Sequence, residues 1–191
     1  MPGQVAHEKM AQFGRKFDFN HANPPKPAGV MILLYPKNEK IYFALIQRQG
    51  HPKDPHQYQI SLPGGKQEEN EGLKQTAIRE TYEEIGVPME SIQPLASLST
   101  VFVAVSNFLI YPFVGYVEQT PTFTTQPEEV QELLEIPIAD MLDDSKIQRT
   151  DINVRGVTLK SVPYFALANK VVWGATAMIL NEFREIIRSF S

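Results

Sequence analysis

At 191 residues, with 42% apolar and 21% charged side chains, the chain has the length and composition of one well-packed globular domain. Its net charge of −4 argues against nucleic acid as the main partner, and the absence of cysteine excludes disulfides, thiolate zinc sites and cysteine nucleophiles. The longest apolar run, residues 30–35, is too short to span a bilayer, and the N-terminus lacks the apolar segment of a secretory signal, so no membrane partner and a cytoplasmic location are expected.

In chain order, residues 1–27 read as a polar N-terminal extension ending in the stiff link Asn23-Pro24-Pro25-Lys26-Pro27, with the main domain over residues 28–191. AGVMILLYP and IYFALIQ, separated by Lys37-Asn38-Glu39-Lys40, predict a β-hairpin. Pro63-Gly64-Gly65 predicts a loop whose backbone can approach a ligand closely. Residues 72–85 contain no proline and mostly good helix formers, and Gly86 follows as a C-cap. Residues 95–105 and 108–117 read as strands joined near Ser106-Asn107, with Pro112 implying an edge position or a bulge. Residues 154–162 read as one alternating strand, and residues 171–189 as a long helix. Strands, helix, strands, helix suggest, by pattern alone, α plus β.

The helix over residues 72–85 carries the chemistry. Glu80, Glu83 and Glu84 stand at i, i+3 and i+4 and share one face, while Ile78, Thr81, Tyr82 and Ile85 are expected to pack on a sheet. Each like-charge pair at this spacing costs roughly 0.2–0.5 kcal/mol in an isolated helix. A divalent cation removes that repulsion, and hard oxygen donors select Mg²⁺ or Mn²⁺. The plain alternative is a solvated acidic face. The flanking residues favour the metal: the diglycine loop, Glu71 near the helix start, and Arg79 placed to hold a carboxylate bidentately.

Gly65, Glu71, Arg79, Glu80, Glu83, Glu84, Gly86 and Val87 stand at the spacing of the Nudix box, and the stretch resembles that family, with Thr81 replacing the usual aliphatic residue. The resemblance implies an α/β/α sandwich with a central mixed β-sheet. It also implies metal-dependent hydrolysis of a phosphoanhydride bond in a nucleoside diphosphate derivative. Glu80, Glu83 and Glu84 would be the main ligands of Mg²⁺ or Mn²⁺, supported by Glu71. Arg79 would orient the catalytic Glu83 and Glu84. A homodimer is a further family expectation.

Further segments resemble the coenzyme A diphosphatase-like branch: Arg48, His56, Gln59 and Pro63-Gly64-Gly65, then Gln126-Pro127-Glu128-Glu129-Val130, then Val162-Pro163-Tyr164-Phe165 and Trp173-Gly174-Ala175-Thr176-Ala177. The resemblance makes Arg48, Lys53, His56, Gly64 and Gly65 substrate-binding candidates. Tyr58 departs from the branch, which has glycine there, and Pro52-Lys53 replaces its Leu-Arg pair. Glu129 is a candidate metal ligand or general base, or else flanks the segment after it. His51 and His56 either meet an anionic substrate or serve the surface or core, and Trp173 reads as a packing residue. Coenzyme A or its acyl derivative is the first substrate expectation, and ADP-ribose or another nucleoside diphosphate derivative the second. A non-catalytic nucleotide-binding module is the rival class, and the complete glutamate pattern speaks against it. Isoprenoid diphosphate isomerisation fails on its required cysteine.

Overall fold

The computed structural model describes residues 3–11, 23–50, 56–154 and 156–190. Strands β1 (Lys26–Lys37) and β2 (Lys40–Arg48) form the expected hairpin, turning through Asn38 and Glu39, both at positive φ (50° and 60°) as a tight hairpin turn requires. Two short strands follow, β3 (Ile60–Ser61) and β4 (Gly64–Lys66), then helix α2 (Leu73–Ile85), preceded by the N-terminal α1 (Gly3–Met10). Strands β5 (Gln93–Ser97), β6 (Val101–Val103), β7 (Phe108–Tyr116) and β8 (Val130–Pro137) complete the main sheet, and a short helix α3 (Ile138–Leu142) follows β8.

β1 and β7 pair in parallel and every other ladder is antiparallel, so the sheet is mixed, as expected. Its spine runs β3-β2-β1-β7-β5, with β8 also on β2. The β1–β2 ladder covers Leu34 to Lys37, whereas Ala28 to Val30 pair with β4. The two strands therefore splay at one end, and the loop bearing Pro63-Gly64-Gly65 fills the gap, with the Met31 N–H donating to the Pro63 carbonyl.

Alternation along β1 sends Met31, Leu33 and Tyr35 to one face and Ile32 to the other, and both faces are covered. On the first face α2 contributes Ala77 and Ile85, which are fully buried, as is Thr81. On the other, helix α4 (Gly174–Arg188) contributes Ala177, Ile179, Leu180 and Phe183. Each of Ile85, Ile179, Leu180 and Phe183, removed from water, stabilises the fold by roughly 1.5–3 kcal/mol. The result is an α/β/α sandwich. At Gly29 a Cβ would lie 2.3 Å from the Leu73 carbonyl oxygen, so glycine is what lets α2 seat on β1.

Several expectations change. Pro112 lies inside β7, not at an edge: β1 pairs it on one side, and on the other it sits where β5 gives way to β6. The Leu98 N–H donates to its carbonyl there, and its missing N–H falls at a break between ladders. Residues 154–162 are not one strand. β9 (Ile147–Val154) and β10 (Val157–Leu167) form a hairpin, with Gly156 at φ 81°, and β11 (Lys170–Val172) adds to β10 in a second, three-stranded sheet. The last helix accordingly starts at Gly174, because Val171 and Val172 belong to β11. Tyr82, expected among the packing residues, is half exposed. α1, inside the expected extension, buries Ala6 and Met10 against the fold. Its His7 bonds the fully buried Glu182 of α4 at 2.8 Å.

Candidate active site

Gly72 and Gly86 bound α2. The Gln75 side chain accepts the Gly72 N–H at 2.7 Å, and Gly86, in left-handed conformation (φ 74°), donates its N–H to the Tyr82 carbonyl. The helix thus presents Glu80 and Glu84 towards the diglycine turn. The Gly64 N–H donates to Glu84 Oε2 at 2.8 Å. A Cβ at Gly65 would lie 2.4 Å from the Glu80 carboxylate, so this carboxylate lies directly against the turn.

The third carboxylate comes from a distant loop. The Gln126 N–H donates to the Glu84 carbonyl and the Thr124 N–H to the Ile85 carbonyl, docking this loop on the last turn of α2. A tight turn then follows, with the Glu129 and Val130 N–H groups both donating to the Gln126 carbonyl. Ligand atoms of Glu80, Glu84 and Glu129 come to lie within 4.8 Å of one another. Three hard oxygen donors at that spacing fit a divalent cation such as Mg²⁺ or Mn²⁺.

Arg79 organises the surroundings. Its guanidinium donates to Glu71 through Nε (3.1 Å) and Nη2 (2.9 Å), to Glu83 at 2.7 Å and to the Lys66 carbonyl at 3.3 Å, and it pairs with Glu80 at 3.0 Å. Glu71 also accepts from Thr76 Oγ1 and the Glu68 N–H. Glu83, which the spacing puts beside Glu80 and Glu84, is half exposed and turned to Arg79, outside the trio.

Titration reflects these surroundings. Burial pushes Glu84 up to about 8, against the pull of the Gly64 N–H and of Arg48, whose Nη1 is 3.9 Å away; Glu80 and Glu129 push the same way as burial. Glu80 is raised, again chiefly by burial, with Arg79 opposing. Hydrogen bonds from Arg79 hold Glu71 down at about 2, and Glu71 in turn raises Arg79. Glu84 is therefore a buried carboxylate short of positive charge, as a cation site requires.

A cleft of about 340 Å³ opens beside the diglycine turn. It brings together Arg48, His56, Gln59, Gly64 and Gly65. Lys53, His51 and Pro52 lie outside the described residues. Tyr58 does not line this cleft. It adopts φ 62°, the left-handed conformation that favours the branch's glycine, and lays its ring where a Cβ at Gly50 would come within 2.1 Å. Sequence reasoning missed Lys66, a cation on the cleft, and the apolar wall of Val103, Val105, Phe108 and Ile110. Trp173, expected as a packing residue, also lines it. Apolar residues at strand ends carry the same pattern whether they face a core or a cleft, and only the β6–β7 hairpin signal pointed near them.

Fold and site define the class: an α/β protein that gathers carboxylates beside a glycine turn and a cation-edged cleft, suited to phosphoanhydride chemistry. The family model for the NUDIX domain matches residues 25–154. The chain belongs to that family of pyrophosphohydrolases, which act on phosphoanhydride bonds and generally use divalent metals. The uncharacterized Nudix hydrolase NudL of Yersinia enterocolitica is 32% identical over 142 residues, covering 74% of this chain and 72% of that protein. Its namesake from Photorhabdus laumondii is 24% identical over 187 residues, covering 94% and 98%. Among solved structures, the Nudix hydrolase RenU from M. smegmatis superposes with a TM-score of 0.60 at 14% identity, covering 88% of this chain and 89% of that one, a likeness of fold.

Proposed function

We propose that this chain hydrolyses the diphosphate of coenzyme A or an acyl-coenzyme A, with Glu80, Glu84 and Glu129 as metal ligands. The observation that carries the reading is the convergence of those carboxylates within 4.8 Å beside the diglycine turn. The choice of coenzyme A is supported by Arg48, His56, Gln59, Gly64 and Gly65 lining a single cleft, since these are the residues that resemble the branch.

The chain's own groups have distinct tasks. Arg48 and Lys66 edge the cleft and attract the anionic diphosphate, beside the half-buried Gly64-Gly65 turn that also lines it. The Gly64 N–H fixes the Glu84 carboxylate, and Arg79 fixes Glu80 while holding Glu71 and Glu83 aside. Glu129 is the solvent-exposed member of the trio and completes its set of oxygen donors. A bound Mg²⁺ or Mn²⁺ supplies charge neutralisation and a more acidic water. Cleavage adds water across one P–O–P linkage, giving two phosphate monoesters from coenzyme A.

The test is turnover on coenzyme A, acyl-coenzyme A, ADP-ribose, dinucleoside polyphosphates and nucleoside triphosphates, with product masses read for each. The reading requires 3′,5′-ADP and phosphopantetheine from coenzyme A. Turnover of ADP-ribose alone would discard coenzyme A and keep the pyrophosphohydrolase.

A further inference from the structure

A second cleft, of about 700 Å³, adjoins the first. The two share Gln59, Ile60, Val154 and Trp173 as a common wall. None of the clustered glutamates, Arg48 or the diglycine turn lines the second one. From the site outward, the order is carboxylates and glycine turn, apolar cleft, Trp173, second cleft.

The second cleft has different chemistry. Gln47, Gln57, Gln59, Thr150 and Asn153 line it with amide and hydroxyl groups. Its charged lining residues are Lys170 and Asp151, among those described, and both are paired. Lys170 Nζ donates to Glu132 at 2.7 Å and to Gln47 Oε1 at 2.9 Å. Asp151 accepts from Lys160 at 2.6 Å and from the Ser161 N–H at 2.9 Å. The cleft therefore offers neutral donors and acceptors, which suit amides and hydroxyls, and no uncommitted charge among its described residues for a phosphate.

We propose that this second cleft is a substrate subsite for the uncharged, amide- or hydroxyl-bearing end of the group attached to the diphosphate, reached across the apolar cleft past Trp173. The proposal rests on the hydrolase reading and deepens it. The pantetheine arm has the matching order, with geminal methyls near the phosphate and a hydroxyl and two amides beyond. A long arm bound this way adds contacts remote from the reacting phosphorus, so the cleft sets KM and selects among diphosphates without touching the chemistry.

Trp173 is the only tryptophan of the chain and stands on the shared wall, so its fluorescence reports both clefts. Pantetheine under reducing conditions and inorganic phosphate would be titrated into the wild-type protein and Thr150→Phe, a variant that fills the second cleft. The proposal expects saturable quenching by pantetheine, weakened at least tenfold in Thr150→Phe, whereas any quenching by phosphate, which reports Arg48 and Lys66 of the first cleft, is the same in both proteins. It also expects KM for coenzyme A to rise at least tenfold in Thr150→Phe at unchanged kcat. If thermal melting shows Thr150→Phe misfolded, Val171→Arg replaces it, at an exposed position on the same cleft. Equal pantetheine quenching in both proteins, an unchanged KM, or phosphate quenching weakened in Thr150→Phe as much as that by pantetheine overturns the subsite while leaving the hydrolase standing. Failure of the hydrolase reading is separately visible as no metal-dependent turnover of any diphosphate by the wild-type protein, and the subsite then falls with it.

Discussion

The Gly64 N–H donates to Glu84 Oε2 at 2.8 Å, joining the diglycine turn to the most deeply buried carboxylate of the cluster. This one bond sets a glutamate from α2 and a turn wedged between splayed strands into fixed register. It also leaves Glu84 with little else to offset its charge, since Arg48 approaches only to 3.9 Å.

Glu84 therefore makes stability depend on pH. Its folded-state value of about 8 lies above the ordinary 4.5, so between these limits the folded protein retains a proton that the unfolded chain has lost. This contribution is greatest below pH 4.5 and declines as pH rises through the window to about 8. Glu84→Gln should raise the melting temperature of the metal-free protein at pH 8 and leave it nearly unchanged at pH 4.5. Thermal melts of both proteins with chelator check this, and an equal shift at both pH values would contradict it.

The two glycines of the turn should respond differently to alanine. At Gly65 the added methyl would meet the far end of the Glu80 side chain, which can move aside. Gly65→Ala should keep the fold within about 1 kcal/mol while weakening Mn²⁺ binding and lowering kcat at least tenfold. At Gly64 the φ of 150° and a contact of 2.4 Å with the Gly29 carbonyl oxygen leave no such escape. Gly64→Ala should be destabilised by roughly 2 kcal/mol or more. Denaturant unfolding with calorimetric Mn²⁺ titration separates the two cases.

On the far face, Glu182 is fully buried and accepts from the Ser99 N–H and Oγ while bonding His7 of α1 at 2.8 Å. Truncation leaves these groups without their acceptor. Glu182→Ala should cost roughly 3 kcal/mol and expose the α1 amides to hydrogen exchange, with the metal site unaffected in the protein that stays folded. Unchanged exchange in α1 would show that Ala6 and Met10 alone hold the helix down.

Much of this was legible in the sequence, for local reasons. Gly72 and Gly86 frame α2 closely to its observed limits, and Asn38-Glu39 marks the first hairpin, because capping and turn chemistry act within a few residues. What was not legible depends on partners far along the chain. Val171 and Val172 continue the apolar pattern of α4, yet pairing with Phe165 and Ala166 makes them strand. Glu129 is a candidate by resemblance, but its approach to Glu84 depends on the Gln126 and Thr124 N–H groups finding carbonyls in the last turn of α2. Glu83 shares a helical face with its neighbours by spacing, but the Arg79 guanidinium, four residues earlier, turns it aside.

The most direct test of the account is Mn²⁺-dependent turnover of coenzyme A by the wild-type protein, Glu84→Gln, Glu129→Gln and Glu83→Gln, with calorimetric Mn²⁺ binding on each. If Glu80, Glu84 and Glu129 hold the metal, Glu84→Gln and Glu129→Gln lose at least a hundredfold in kcat/KM and weaken Mn²⁺ binding. Glu83→Gln, removed from the trio, then loses less than either. Full activity in Glu84→Gln, or a Glu83→Gln loss exceeding both others, would contradict the assignment of the metal site.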